Sequence, residues 1–444
     1  MKIVLPVHHF PPRYSAGAEL YTLRLARWLL AHGHDTKVVC VEAIDQGAAG
    51  ELSAVEDDYQ GVRVWRLTYN IIDAPERKRW NYNNPLLDAW FAAYFRRTQP
   101  DIAHFQAGYL LGVAPLEAAK AAGVPTVLTL HDYWFLCPRI TLLRGDGTLC
   151  TAIPANPAGC AWCMRQEQRR YQIADQLSAG IVGKVAHRLL HDDAAIIAER
   201  RAQLLPALHI PDAVIAPSQF LASRFAPFVP SERLHVARYG LDLAPFAASR
   251  RVTQAALRIG YLGQIAPHKG VHVLVDAFRA LRTSRPIELH IYGGLDAQPR
   301  YVETIRRQSG GDARIQLHDR FANSQVATIL AGLDVTVVPS TWYENSPLAI
   351  MEAQAAGVPV VTSALGGMAE LVRDGVDGLH FRPGNAADLA RKLQRLLDEP
   401  ELLSSLQSGG VPPRSIDDEM RQVLAIYQHV TTSARAEIVP ATSF

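Results

Sequence analysis

Two carboxylates, Glu344 and Glu352, stand eight residues apart in STWYENSPLAIMEAQAAGVPVVTS, Ser340 to Ser363, around a Ser-Pro pair. On one continuous helix they would lie roughly 80° apart. Pro347 lacks an N–H and suits the first helical turn, with Ser346 before it as an N-cap. The stretch therefore predicts a helix that starts at Pro347 and ends at Gly357, just ahead of Pro359. Glu344 then belongs to the loop above the helix N-terminus, and Glu352 to the helix itself. The apolar runs DVTVVP and VPVVTS on either side read as buried parallel strands. A helix N-terminus offers unpaired amides and the positive end of a dipole, so it can hold an anion. The expected chemistry is recognition of an anionic ligand that also presents hydroxyls to two acids.

Three other stretches carry residues of the same kind. In RYSAGAEL, Gly17 lets a backbone approach a ligand at a helix start, although it also suits an ordinary turn. In LTLHDYW, His131 and Asp132 follow an apolar run; a His-Asp pair is also a common cap or core hydrogen bond. In YLGQIAPHKG, Gln264 and Lys269 precede a helix, where a lysine either meets a phosphate or is simply solvated. All of these stretches need strands behind them and helices after them. The first forty residues read strand KIVLPV, loop, helix ELYTLRLARWLLAHG, strand TKVVCV, and the alternation continues through IAHF, PTVLTLHD and DAVIAPS. It restarts at LRIGYLGQ and runs through IELHIYGG and ARIQLHD to the acidic stretch. The pattern predicts an α/β chain with two doubly wound Rossmann-like domains facing a cleft. The expected division is 1–240, a hinge at 241–255, a second domain at 256–410, and a final segment at 411–444. That last segment holds a helix at Asp417–Val430, expected to cross back onto the first domain, and a frayed tail after Thr431.

At 444 residues, with 48% hydrophobic and 20% charged residues, the chain has the composition of a soluble multidomain protein. A net charge of +2 argues neither for nor against an anionic ligand, and no nucleic-acid partner is expected. MKIVLPVHHFPP reads as a first strand and not as a signal peptide. The expected location is the cytoplasm, with reduced thiols.

With these stretches in this order, the chain resembles the retaining, nucleotide-sugar-dependent glycosyltransferases of family four, which have the GT-B fold. The resemblance spans Lys2 to Val430, and its most specific part is ENSPLAIMEAQAAGVPVV, which is similar to that family's Glu-x7-Glu element. It implies that Glu344 contacts the donor sugar, that amides at Asn345, Ser346, Pro347 and Leu348 flank the diphosphate, and that Glu352 accepts from the ribose. It further implies that Lys269 neutralises the leaving diphosphate and that His131 lies near the transferred sugar. The implied partners are a nucleoside diphosphate sugar and a saccharide or lipid-linked acceptor, in cell-surface polysaccharide or glycolipid synthesis, with no cofactor required for catalysis. One position departs from the family. Where an arginine is usual, this chain has Gln264, so Arg13, Arg139 or His268 is expected to supply the missing charge. The rival readings are another GT-B enzyme, an epimerase or phosphorylase, and a non-catalytic nucleotide-sugar-binding regulator.

Two features lie outside that resemblance. Cys137, Cys150, Cys160 and Cys163 fall within one Gly/Pro-rich insertion, 137–163, with the spacing C-x12-C-x9-C-x2-C. Structural zinc is the leading expectation, with an iron–sulfur cluster, disulfides or unlinked thiols as alternatives. Cys40 reads as a buried filler. The segment PERKRWNYNNPLLDAWFAAYFRRTQP interleaves basic and aromatic residues, which suits either peripheral contact with the inner membrane face or an amphipathic helix packed on the first domain.

Overall fold

The run KIVLPV forms strand β1 (Lys2–Val7), and its last five side chains are buried. Burial from both faces is what an apolar run without alternation requires of a parallel sheet. In this computed structural model, which describes residues 1–183, 185, 190–249 and 255–438, β1 lies inside an eight-stranded sheet. The other strands are β2 (Asp35–Ala43), β3 (Leu52–Tyr59), β4 (Val62–Tyr69), β5 (Ile102–Phe105), β6 (Thr126–Thr129), β7 (Ala213–Ala216) and β8 (Leu234–Val236). Their order is β3-β4-β2-β1-β5-β6-β7-β8. All pairings are parallel except the β3–β4 hairpin. Its turn uses Gln60 and Gly61, both at positive φ, the combination a two-residue hairpin favours. Strand order reverses between β1 and β5, so their carboxyl ends mark a switch point where such sheets bind ligands.

The second sheet comprises β9 (Leu257–Leu262), β10 (Ile287–Tyr292), β11 (Ile315–His318), β12 (Val335–Val338), β13 (Val360–Ser363) and β14 (Gly378–Phe381). It is parallel throughout, in the order β11-β10-β9-β12-β13-β14. Alternate residues serve opposite faces. Leu257, Ile259 and Tyr261 of β9 join one apolar cluster with Val335, Val337 and Val361. Leu262 joins another with Val338, Val360, Ile350 and Met351. Gly260 sits where a Cβ would lie 2.1 Å from Leu333 Cδ1, so the strand needs glycine there to let the helix side approach. The switch point falls between β9 and β12.

The two sheets belong to two units: Met1–Pro217 and Leu221–Ala237 with the chain from Met420 on, and Ser218–Phe220 with Arg238–Glu419. Within the expected hinge, Ala244–Ala247 forms a short helix, and residues 250–254 lie outside the described part. The last helix runs from Ile416 to Ile438, longer than expected, because residues after Thr431 continue it where a frayed tail was anticipated. Residues 439–444 lie outside the described part. Met420, Val423, Tyr427 and Val430 are buried at helical spacing. Tyr427 Oη meets His104 Nδ1 at 2.6 Å.

The aromatic-basic segment packs inward. Helix Pro85–Thr98 starts at a true cap, Asn84, whose side chain accepts from Leu86 N. It buries Leu87, Phe91, Tyr94 and Phe95, and Trp80 ahead of it is buried too. Trp80, Phe91, Tyr94 and Phe95 thus serve the core, as the packed amphipathic-helix reading requires, while Trp90 is half-buried. Among the described residues, no helix is long and apolar enough to cross a membrane.

Candidate functional site

In the second unit, the turns after β9 and β12 meet. The backbone of Thr341 donates to His268 O at 2.8 Å. Gly270, at φ +73°, allows this closeness: a Cβ there would lie 1.9 Å from Pro339 O. The junction places Lys269 Nζ 2.6 Å from Glu344 Oε1. Ser340 Oγ and Trp342 Nε1 donate to the same oxygen, at 2.9 and 2.8 Å. Lys269 also lies over the Trp342 ring, 5.2 Å from its centroid. Burial pushes the Glu344 carboxyl up, but the Lys269 charge and the three donors outweigh it and hold it below the usual carboxylate range. Glu344 is thus an ionised acid, 8% exposed, with all three donors on one oxygen.

The loop that follows is clamped from β13. Gly367 N donates to Glu344 O at 2.8 Å, and a Cβ at Gly367 would lie 1.8 Å from Asn345 O. The helix occupies Leu348–Ala355, one residue later than expected. Pro347 has ψ 119°, outside the helical range, and takes the cap position without a side-chain hydrogen bond. Ser346 is not the cap; its hydroxyl points at Met351 Sδ, 3.8 Å away. The first-turn amides of this helix are consequently not taken by a side-chain cap. Glu352 is half-buried on the same helix, and Gly357 at φ +68° follows its end.

Gln264 lies in the turn after β9 with its side chain exposed and its carbonyl accepting from Tyr261 Oη at 2.6 Å. Of the residues expected to compensate for the missing arginine, His268 lies in the same turn as Lys269. Burial, and then the charge of Lys269, pulls His268 below the ordinary histidine range, so it is neutral near pH 7. In the first unit, Arg13 lies 3.8 Å from Glu42 and Arg139 lies 2.9 Å from Glu167.

At the first unit's switch point, His131 follows β6 and its Nε2 lies 3.1 Å from Gln106 Oε1, beside the edge of Tyr21. With the Gln106 amide oriented so, Nε2 carries the proton. Burial and then nearby His8 pull this imidazole down to about 3, so it is neutral. Asp132 accepts from Trp134 N at 2.8 Å and acts as a turn cap. Gly17 opens the helix Gly17–Ala31 with no side-chain cap at Ala16 and open space where a Cβ would project. In the first turn of that helix, Glu19 is buried and lies 3.2 Å from His8 Nε2. Residue types alone did not single out Gln106, His8, Glu19, Ser340, Trp342 or Gly367. The double glycine just after an apolar strand in VTSALGGMAE was the one readable signal among them.

Residues 15–245 match Glycosyltransferase Family 4, and residues 256–399 match Glycosyl transferases group 1. The chain belongs to glycosyltransferase family 4. This family-4 chain is 26% identical over 409 residues to the glycogen synthase of Mycobacterium tuberculosis, covering 90% of this chain and 87% of the relative. It is 28% identical over 406 residues to the D-inositol 3-phosphate glycosyltransferase of Arthrobacter sp., covering 87% and 83%. Among solved structures, the sucrose-phosphate synthase of Thermosynechococcus elongatus superposes with a TM-score of 0.66 at 18% identity, over 98% of this chain and 100% of that one. HepE of Anabaena in complex with UDP gives 0.62 at 18%, again over 98% and 100%. The fold is GT-B, and the protein is a glycosyltransferase that uses nucleotide-sugar donors.

Proposed function

We propose that this family-4 enzyme transfers a hexose from a UDP- or GDP-linked donor to a saccharide or lipid-linked acceptor, with retention of configuration, in the synthesis of a cell-surface polysaccharide or glycolipid. The supporting observation is the Lys269–Glu344 pair, at 2.6 Å, at the carboxyl ends of β9 and β12. A lysine held beside an ionised acid next to an uncapped helix N-terminus suits a ligand with phosphate and hydroxyl groups together. In the proposed mechanism Lys269 and the amides at Asn345, Ser346 and Leu348 hold the diphosphate, while Gln264 adds a neutral hydrogen bond. Pro347 has no N–H and contributes a fixed turn. Glu344 keeps Oε1 on Lys269, Ser340 and Trp342, and offers Oε2 to a sugar hydroxyl. Glu352 accepts from the ribose diol. His131, neutral and oriented by Gln106, offers hydrogen-bonding capacity to the transferred sugar.

The bond between the sugar C1 and the diphosphate oxygen breaks with its electron pair on the diphosphate. The acceptor oxygen attacks C1 from the same face, and its proton passes to the departing oxygen. Stabilising that oxygen is the main contribution of Lys269 and the helix amides. A cytoplasmic location is part of the proposal, in keeping with the five free thiols among the described residues.

The test is to incubate the protein with UDP- and GDP-hexoses and acceptor extracts and to follow nucleoside diphosphate release. Release with one donor, lost in Lys269→Met, is the expected result. No consumption of any donor with any acceptor extract sinks the hexosyl-transfer proposal.

A further inference from the structure

We propose that Cys137, Cys150, Cys160 and Cys163 form a four-thiolate site for one zinc ion, which holds the chain between β6 and helix Pro157–Arg165 in place. The four come from three separate segments: the turn after β6, the end of a small hairpin closed by the Leu143–Leu149 bridge, and that helix. The helix occupies the end of the Gly/Pro-rich insertion. It starts at Asn156, whose side chain accepts from Ala158 N, with Pro157 next, and it sets Cys160 and Cys163 three residues apart on one helical face.

All four cysteines line a single cavity with room for about one water-sized sphere. That suits a single ion. Among the described residues, no three His, Cys, Asp or Glu side chains already stand at metal-binding separations. The local contacts supply a reason. Cys150 Sγ donates to Ala152 O at 3.3 Å, so its proton is committed to that carbonyl. Ligation of an ion would replace this bond.

The surroundings suit thiolates. Gly145 N donates to Cys163 Sγ at 3.4 Å and Arg201 Nη2 to Cys160 Sγ at 3.0 Å. Arg139 and Arg144 line the same cavity. Zinc with four thiolates carries a net charge of about −2, which these guanidiniums offset, Arg139 only in part because it also pairs with Glu167. The backbone around Cys137 is held in costly conformations as well. Ile140 and Leu142 have φ of +69° and +52°, and a β-branched residue at positive φ persists only where its surroundings over-determine it. Binding forms four Zn–S bonds and releases four protons from the thiols. The effect on the first unit's site is direct, since Cys137 N donates to Tyr133 O at 2.7 Å, two residues beyond His131.

The experiment uses the full chain. Elemental analysis of the purified protein is expected to give about one zinc per chain. Cobalt(II) added to stripped protein is expected to give the intense thiolate charge-transfer and visible bands of a tetrahedral sulfur site. Cys163→Ser should lower metal content and speed proteolysis between Arg139 and Ala161. Should that variant fail to fold, Cys150→His keeps four ligands and should retain one metal with a blue-shifted cobalt spectrum. UDP binding in the second unit, read by calorimetry, should survive in both. Three results would overturn the proposal: a brown iron-containing protein, an octahedral cobalt spectrum, or a metal-free protein whose four thiols react equally fast with and without added zinc.

Discussion

At the scale of single residues, the candidate site depends on one shared oxygen. Glu344 Oε1 meets Lys269, Ser340 and Trp342, so the charge of Glu344 fixes Lys269 before any ligand arrives. Glu344→Gln keeps the shape and loses the charge. It is expected to lower kcat more than donor affinity, because a freed lysine still meets phosphate but no longer in its fixed place. Equal losses in kcat and affinity would reduce Glu344 to a binding group. Lys269→Met is expected to weaken UDP by ~1.5–3 kcal/mol, the range for a hydrogen bond to a charged group, while uridine is unaffected. Calorimetry with both ligands checks this, and a parallel loss for uridine would remove Lys269 from the phosphate. The acid and the lysine were legible as residue types at suggestive positions. Ser340 and Trp342 were not, because their role depends on a loop that folds back on itself within five residues.

At the scale of elements, strands carry the turns and glycines let the turns touch. Gly367 is the sharpest case. A Cβ would fall 1.8 Å from the Asn345 carbonyl, and a backbone atom cannot swing aside as a side-chain tip does. Gly367→Ala should therefore displace the Glu344–Leu348 loop, lower the melting temperature, and abolish measurable UDP binding. Gly384→Ala is a matched control, with open space at the Cβ but positive φ; it should cost stability without affecting UDP. Similar UDP affinities in the two variants would contradict the clamp. Strand and helix types were readable from apolar period. The start at Leu348 was missed because proline's fixed φ suits the cap position as well as the first turn, and only ψ separates them. The β3–β4 hairpin was missed although Gln60-Gly61 carried a turn signal.

At the scale of the molecule, the last helix returns to the first unit from Met420 and meets a buried histidine. His104 contacts Tyr427 Oη at 2.6 Å and Thr129 Oγ1 at 2.7 Å. Burial pulls its pKa from 6.5 down to about 3, and His131 is lowered to about 3 as well. A depressed folded-state value means the unfolded chain binds the proton first. The stability is fully present above pH 6.5 and is lost as pH falls from there toward 3, by about 1.4 kcal/mol per pH unit for each histidine. Six of the seven tryptophans belong to the first unit, so intrinsic fluorescence in urea follows it. The midpoint should fall between pH 7.5 and 5.5, and less steeply in His104→Gln. An unchanged slope in that variant would exclude His104 as a source. Ending the chain at Ser415 should destabilise the same unit, since Met420, Val423, Tyr427 and Val430 would leave its core.

The sequence by itself determined the two doubly wound sheets, because apolar runs, glycine and proline positions act locally and repeat with the periods of strand and helix. It also pointed to Glu344, Lys269 and His131, because each follows an apolar strand where such folds carry ligand loops, and to Glu352 on the helix after the Glu344 loop. Only the tertiary structure decided which groups share one oxygen, that Phe91, Tyr94 and Phe95 face the core, and that four cysteines line one cavity. Those outcomes depend on contacts between residues tens of positions apart, such as the 75-residue span from Lys269 to Glu344. The pattern of the intervening chain does not encode such contacts one by one; packing selects them.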